Sequence, residues 1–370
     1  MKFSIMRPEL SLLVANVISV VPPKSTLPIL STILLEATGD TLKVTSTDLD
    51  MSISASVKTT VAAEGSVCIP ARRFNDIVRE LPADTVKISV SDYRVKLECA
   101  RGKYSISGMD PADFPKMPAF KSEHRFTLHS DTLKKGEKRC LYAASTDESR
   151  PVLNGVFFQL FPKELRMVAT DGHRLAKATF SGEFVKEKTE AIVPPKALRQ
   201  AVRITPEEGC PVEMALSKSY IQMEIRDSVI CSRVLEGPFP NYEQVIPKET
   251  NKTLVVNRDE LIDAIKRVAI LSDTVTHQIK FAIRKDRVDL SVSTADVGEG
   301  HETVPTVEYV GDEMEVGYNA NYILDILRSL DSDEAKFSLN TPLNAGLVEP
   351  AKKEEGEDLL CLIMPLRLTE

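Results

Sequence analysis

The sequence predicts an α+β protein built from three similar domains, each with two helices and antiparallel sheets. Three observations predict it. A long repeat occurs in three copies, a second anchor recurs inside each copy at nearly constant spacing, and the segments between anchors alternate apolar and polar residues with period two.

The first copy opens with KFSIMRPELSLLVANVISV, the second at 125 with RFTLHSDTLKKGEKRCLYA, and the third at 253 with TLVVNRDELIDAIKRVAI. Phe3, Phe126 and Leu254 align, as do Ile5, Leu128 and Val256, then Leu10, Leu133 and Leu261, at offsets of 123 and 128 residues. Two alternating apolar positions make a strand in each copy. Arg7-Pro8, Ser130-Asp131 and Arg258-Asp259 then open a helix with apolar residues at helical spacing.

The second anchor lies about halfway through each copy, at CIPARRFNDIV (from Cys68), IVPPKALRQAV (from Ile192) and GYNANYILDIL (from Gly317). Ile69, Val193 and Tyr318 correspond, as do Phe74, Leu198 and Ile323. A short strand again runs into a helix, with Pro expected in the first turn of two of the three. Between the helices, segments such as LKVTSTDLDMSISASV, LRMVATDGHRLAKATF and VDLSVSTADVGEGHETV read as strand pairs. The first two copies end alike, in DFPKMP and FPNYEQVIP. A repeat this long is a domain rather than a solenoid unit, giving domains 1–122, 123–248 and 249–370.

Composition excludes several classes. Of 370 residues 42% are hydrophobic and 27% charged, which is globular usage. No apolar run approaches the roughly 20 residues that span a bilayer. The first residues, MKFSIMRPEL, lack a signal-peptide core, so no membrane association and a cytoplasmic location are expected. Cys68, Cys99, Cys140, Cys210, Cys231 and Cys361 are scattered and read as buried thiols. With no HxxxH or HExxH among five histidines, neither a metal nor a cofactor is expected.

Net charge is −7, yet the six helix windows (8–21, 71–81, 131–145, 195–204, 258–271 and 320–330) together carry +5, leaving −12 elsewhere. Positive helices within an acidic remainder suit a phosphate backbone met on one surface only.

The stretch VATDGHRLA places Asp171, His173 and Arg174 within four residues. Thr170-Asp171 falls 123 residues after Thr47-Asp48, and Asp171-Gly172 between two alternating segments is a hairpin signal. The first copy has Leu49 and Asp50 where this one has Gly172 and His173. No GxSxG, P-loop or dinucleotide fingerprint accompanies the histidine, so no catalytic residue and no enzyme activity are expected. Two alternatives stay in view: a hydrolase using Asp171 and His173, and a three-domain scaffold that binds proteins but never DNA.

Together with the three repeats, KF at the start, TLPIL at 26–30, ATDGHRLA at 169–176, FPNY at 239–242, VIP at 245–247 and the ending IMPLRL resemble the bacterial sliding clamp, the β subunit of DNA polymerase III. The resemblance covers essentially the whole chain. It implies a DNA clamp fold in which the chain forms half of a six-domain ring, a head-to-tail homodimer with helices lining the hole. It also implies duplex DNA in the hole, and docking of the polymerase III α subunit, the clamp loader and other replication and repair proteins through short peptides.

Lys24, Arg72, Arg73, Lys196 and Arg199 are the expected DNA-facing cations; Lys24 and Lys196 match family positions. The resemblance places a peptide pocket at Leu153, Thr170, Gly172, His173, Arg174 and Leu175 of the central domain and at Pro240 and Val245 of the linker. Asn319, Tyr322, Leu343, Ile363, Met364, Pro365, Leu366 and Arg367 complete it. Aliphatics and Met would make an adaptable floor, and His173, Arg174 and Asn319 would hold a peptide backbone. Gln244 stands where the family often has Arg, and Leu343 and Ala345 also depart from its pattern. Ring closure is expected between a sheet edge at Tyr104 and Ile106, flanked by Arg101 and Lys103, and a helix end at Ile270 and Leu271, flanked by Glu299 and Glu302.

Overall fold

In the computed structural model the alternating segments are strands and the six charged windows are helices; residues 1–117, 122–207, 209–295 and 297–368 are described. Pro118 of DFPKMP and Asp296 of the third alternating segment lie outside them.

The first copy runs β1 (Lys2–Met6), α1 (Arg7–Ile18), β2 (Thr32–Thr38), β3 (Thr41–Thr47), β4 (Met51–Lys58), β5 (Thr60–Ala63) and β6 (Gly65–Pro70). It continues through α2 (Ala71–Glu80), β7 (Thr85–Ser91), β8 (Arg94–Cys99) and β9 (Gly102–Ser107). The second comprises β10 (His124–His129), α3 (Ser130–Cys140), β11 (Val156–Leu160), β12 (Glu164–Thr170), β13 (Arg174–Ser181) and β14 (Thr189–Val193). After these come α4 (Pro195–Ile204), β15 (Pro211–Leu216), β16 (Tyr220–Ile225) and β17 (Ser228–Arg233). The third has β18 (Lys252–Asn257), α5 (Arg258–Ala269), β19 (Gln278–Ile283), β20 (Arg287–Thr294), β21 (Gly298–Val310) and β22 (Met314–Asn319). It closes with α6 (Ala320–Ser329), β23 (Glu334–Leu339), β24 (Gly346–Pro350) and β25 (Glu357–Ile363).

Helix starts follow the sequence closely. α1, α3 and α5 begin at Arg7, Ser130 and Arg258. Proline differs in detail: Pro195 is the first residue of α4, but Pro70 sits one position before α2, as its N-cap. Asn257 and Asn319 cap α5 and α6, each side-chain oxygen accepting two backbone N–H bonds from the first turn. The aligned apolar anchors Phe3, Leu10, Phe74, Leu133, Leu198, Leu261 and Ile323 are all buried.

Sheet pairing divides the chain into two compact units, Met1–Asp131 with Lys196–Val234, and Thr132–Pro195 with Leu235–Glu370. In the first, a sheet ordered β5-β1-β7-β8-β9 accompanies one ordered β10-β15-β16-β17-β4-β3-β2-β6. In the second, one sheet runs β14-β11-β12-β13-β25-β24-β23-β18-β21-β20-β19-β22. The middle copy is therefore shared: β17 pairs with β4, while β13 pairs with β25, antiparallel in both cases.

Candidate functional site

The hairpin expected at Asp171-Gly172 is present, with three residues between β12 and β13. Asp171 Oδ1 accepts from the N–H groups of His173 (2.8 Å) and Arg174 (3.0 Å). Thr170 Oγ1 donates to the Arg174 carbonyl (2.7 Å) and accepts from Gly172 N (3.1 Å). Gly172 takes φ +91°, a left-handed conformation that glycine adopts without steric cost. The first copy repeats this turn bond for bond. Asp48 Oδ1 accepts from Asp50 N (3.1 Å) and Met51 N (2.7 Å), Thr47 Oγ1 donates to the Met51 carbonyl (3.0 Å), and Leu49 is held at φ +83°.

β25 lies beside this turn, Arg174 opposite Ile363. Met364 N donates to the His173 carbonyl (2.8 Å), and the chain then leaves the sheet. Two residues on, Leu366 bridges Gly317 through a 2.8 Å N–H bond. Gly317 is needed there, because an added Cβ would stand 2.8 Å from the Leu366 carbonyl oxygen. The tail thus runs from the His173 turn to the start of α6, where Tyr322 stacks near His173 at 6.3 Å between ring centroids.

Under this surface Leu175 packs with Phe157, Val168, Ile192, Tyr242, Leu347 and Leu362, and Ile246 and Ala345 rest against that cluster. Leu153, Leu175 and Ile363 are buried and form support. Val245, Leu343, Met364 and Leu368 leave apolar surface open, and His173, Pro240 and Arg367 are exposed as well. A cavity of about 410 Å³ is lined by Glu315, Val316, Gly317, Pro342, Leu343, Leu366, Arg367 and Leu368. Val316, Gly317, Pro342 and Leu368 were not among the expected pocket residues, although Gly317 and Leu368 lie within the GYNANYILDIL and IMPLRL stretches.

Arg174 and Asn319, expected to hold a peptide backbone, are also engaged within the fold. Arg174 is only 9% exposed, and its guanidinium is committed inside the fold. It bonds Asp171 Oδ2 (3.1 Å), Asp325 Oδ2 (2.7 Å) and the Tyr142 carbonyl (2.7 Å), and lies 4.4 Å over the Tyr322 ring. Asn319 caps α6 with its oxygen and donates its amide to the Thr276 carbonyl (2.9 Å). Both side chains are thus tied into the fold, Arg174 through three bonds and Asn319 through its cap and one amide donor.

Of the expected DNA-facing cations, Lys24, Arg72, Arg73 and Arg199 are exposed and have no ion-pair partner among the described residues. Lys196 differs, because its ammonium is engaged by Asp48 Oδ2. Other positive charge in the helix windows also stays within the fold. Arg203 donates to the Ala15 and Asn16 carbonyls (3.0 and 3.1 Å) and to Ser19 Oγ (2.7 Å), and Gln200 adds a 2.7 Å bond to the Asn16 carbonyl. These carbonyls are the orphan acceptors at the end of α1. On α3, Lys138 and Arg139 bind Asp331, Arg139 Nη1 stands 2.7 Å from Glu357 at too bent an angle for a hydrogen bond, and Lys135 pairs with Glu354 and Glu357. The window charge therefore overstates what solvent, or DNA, can meet.

The residues expected at ring closure separate similarly. β9 is the open edge of its sheet, and Tyr104 on it is exposed, but Ile106 is 8% exposed and belongs to that sheet's core. In the other unit Ile270 is 77% and Val275, missed in the sequence, 84% exposed. Leu271 is half-buried beside Gly300, and Glu302 is clamped by Arg267 at 2.7 and 3.0 Å, so it is not a free rim charge. The first part of β21 pairs only with β20, leaving its other edge open among the described residues.

The chain thus combines three repeated α+β units with open sheet edges, exposed helix-borne cations and an apolar turn-and-tail surface. Models of the DNA polymerase III beta subunit match it along its length: the N-terminal domain at residues 1–118, the central domain at 127–241 and the C-terminal domain at 243–367. It is 32% identical to the beta sliding clamps of Chlamydia muridarum and Synechococcus elongatus, over all of this chain and 99% and 100% of theirs. Its fold is similar to crystal structures of clamps from Bartonella birtlesii (TM-score 0.94) and Pseudomonas aeruginosa (0.95), both bound to griselimycin, each at 29% identity over 100% of both chains. The chain belongs to the DNA polymerase III beta subunit family, the bacterial sliding clamps, and serves as a DNA polymerase processivity factor.

Proposed function

We propose that domains 1–122, 123–248 and 249–370 form half of a ring that two copies close head to tail around duplex DNA in the cytoplasm. Lys24, Arg72, Arg73, Arg199 and, when released, Lys196 would face the DNA. Such contacts are to phosphate, weak and blind to sequence, as sliding requires. Polymerase, clamp loader and repair proteins would dock short peptides on the His173–Met364 surface. The observation that carries this is the course of the tail: β25 leaves its sheet at the His173 turn and runs to Gly317, with Val245, Leu343 and Met364 exposed. Two similar clamps were solved with griselimycin bound, which accords with a ligand-holding surface.

A non-catalytic role is part of the reading. Asp171 directs both carboxylate oxygens to its own turn and to Arg174, so it does not orient the His173 ring. Burial pushes the Cys68, Cys231 and Cys361 thiols up to about 11, away from nucleophilic thiolate. The test titrates a short peptide containing Gln and Leu or Phe against the wild type, Met364→Ala and a deletion of residues 366–370. Binding should fall in both variants while they stay folded. Equal binding by all three would place the docking surface elsewhere.

A further inference from the structure

Asp48 and Asp171 occupy the same place in two copies of one turn, and both use Oδ1 for the turn and Oδ2 for a cation. In the second copy that cation is Arg174, nine-tenths buried and bonded to Asp171, Asp325 and the Tyr142 carbonyl. In the first it is Lys196, whose side chain is 49% exposed while Asp48 is 18% exposed. The first pair therefore has a fixed anion and an accessible, flexible cation.

We propose that Asp48 is a built-in counter-ion for Lys196, standing where a DNA phosphate would otherwise stand and setting how firmly the first turn of α4 holds the duplex. This rests on the reading of Lys196 as DNA-facing. Two backbone N–H bonds pin Asp48, whereas Lys196 has a four-carbon stem that can swing between carboxylate and phosphate. Exposed ion pairs are weak enough to exchange. Each phosphate contact made by Lys196 then breaks one contact to Asp48, so the net gain per contact is small. That suits a ring that must hold DNA by topology and still move along it. Asp48 is thus a positioning residue, acting on DNA only through Lys196.

The experiment uses the full chain and a fluorescein-labelled random-sequence duplex, with affinity followed by anisotropy across a salt series. Four proteins are compared: wild type, Asp48→Asn, Lys196→Ala and the double variant. Asp48→Asn should bind about two- to fivefold more tightly than wild type, the scale of one exposed pair. Its slope of log affinity against log salt should steepen by up to about 0.9, one added phosphate. In the Lys196→Ala background the same change should do nothing. Asp48→Ser, which also supports the turn, repeats the comparison if the Asn variant does not fold. An equal gain in both backgrounds would mean that only net charge matters and would overturn the proposal, as would no gain in either. If Lys196→Ala alone leaves binding and slope unchanged, the DNA-facing assignment of Lys196 falls, and the proposal with it.

Discussion

Arg174 shows how far a residue's role can be read from its neighbours in sequence. The repeat identified its turn, and the hairpin follows from Asp171-Gly172. What sequence could not show is that the guanidinium turns inward, since Asp325 and Tyr142 come from distant segments. Arg174→Ala should therefore act first on folding. Two carboxylates and a carbonyl lose their shared donor, at about 3 kcal/mol for a broken buried pair, read by denaturant unfolding. Lys cannot substitute, having no planar fork. His173→Ala should leave the unfolding midpoint, ring assembly and DNA retention unchanged while weakening peptide binding, because the exposed ring only stacks near Tyr322. If Arg174→Ala unfolded like wild type, the inward role would be wrong.

Helices were the most legible elements, since apolar periodicity and the repeat together locate all six. Their charges were not. Summing formal charge assumes that each cation meets solvent, yet Arg203 closes the end of α1, and Lys138 and Arg139 hold Asp331 just past α6. Such pairs join residues remote in sequence, so no local pattern marks them. Asp331 offers a pH test. Burial alone would raise its carboxyl, but the bonds from Lys138 and Arg139 prevail and hold it below the ordinary value. A lowered folded-state pKa contributes stability above the unfolded carboxylate value, about 3.9, and loses it as pH falls through the folded value. Asp331→Asn should thus cost about 1–3 kcal/mol at neutral pH, with the deficit shrinking below about pH 4. Unfolding across pH checks this, and a deficit independent of pH would refute it.

At the scale of the molecule, the three copies were plain in the sequence but the two compact units were not. Self-similarity reports what each copy can fold into; which sheet a strand extends depends on edges meeting, as β17 meets β4 and β13 meets β25. Among the described residues, open edges remain at β9 and at the first part of β21. If the ring closes through them, exposed Ile270 is the aliphatic to remove, rather than Leu271, which already packs near Gly300. Ile270→Ala should weaken each interface by about 2–4 kcal/mol if the side chain is fully buried there. Sedimentation at low concentration would then show monomer, and an unchanged dimer would remove Ile270 from the interface.

The position of β25 also has a mechanical consequence. It is an interior strand, paired on both sides, and its continuation carries Met364 through Leu368. A load applied to that tail along the axis of β25 would be carried by the strand as a whole. Antiparallel hydrogen bonds lie across that axis, so the load falls on many of them at once, in shear. Peeling, in which bonds fail one after another, would need a force directed out of the sheet. Along its own axis β25 is held in the direction in which a sheet is hardest to tear.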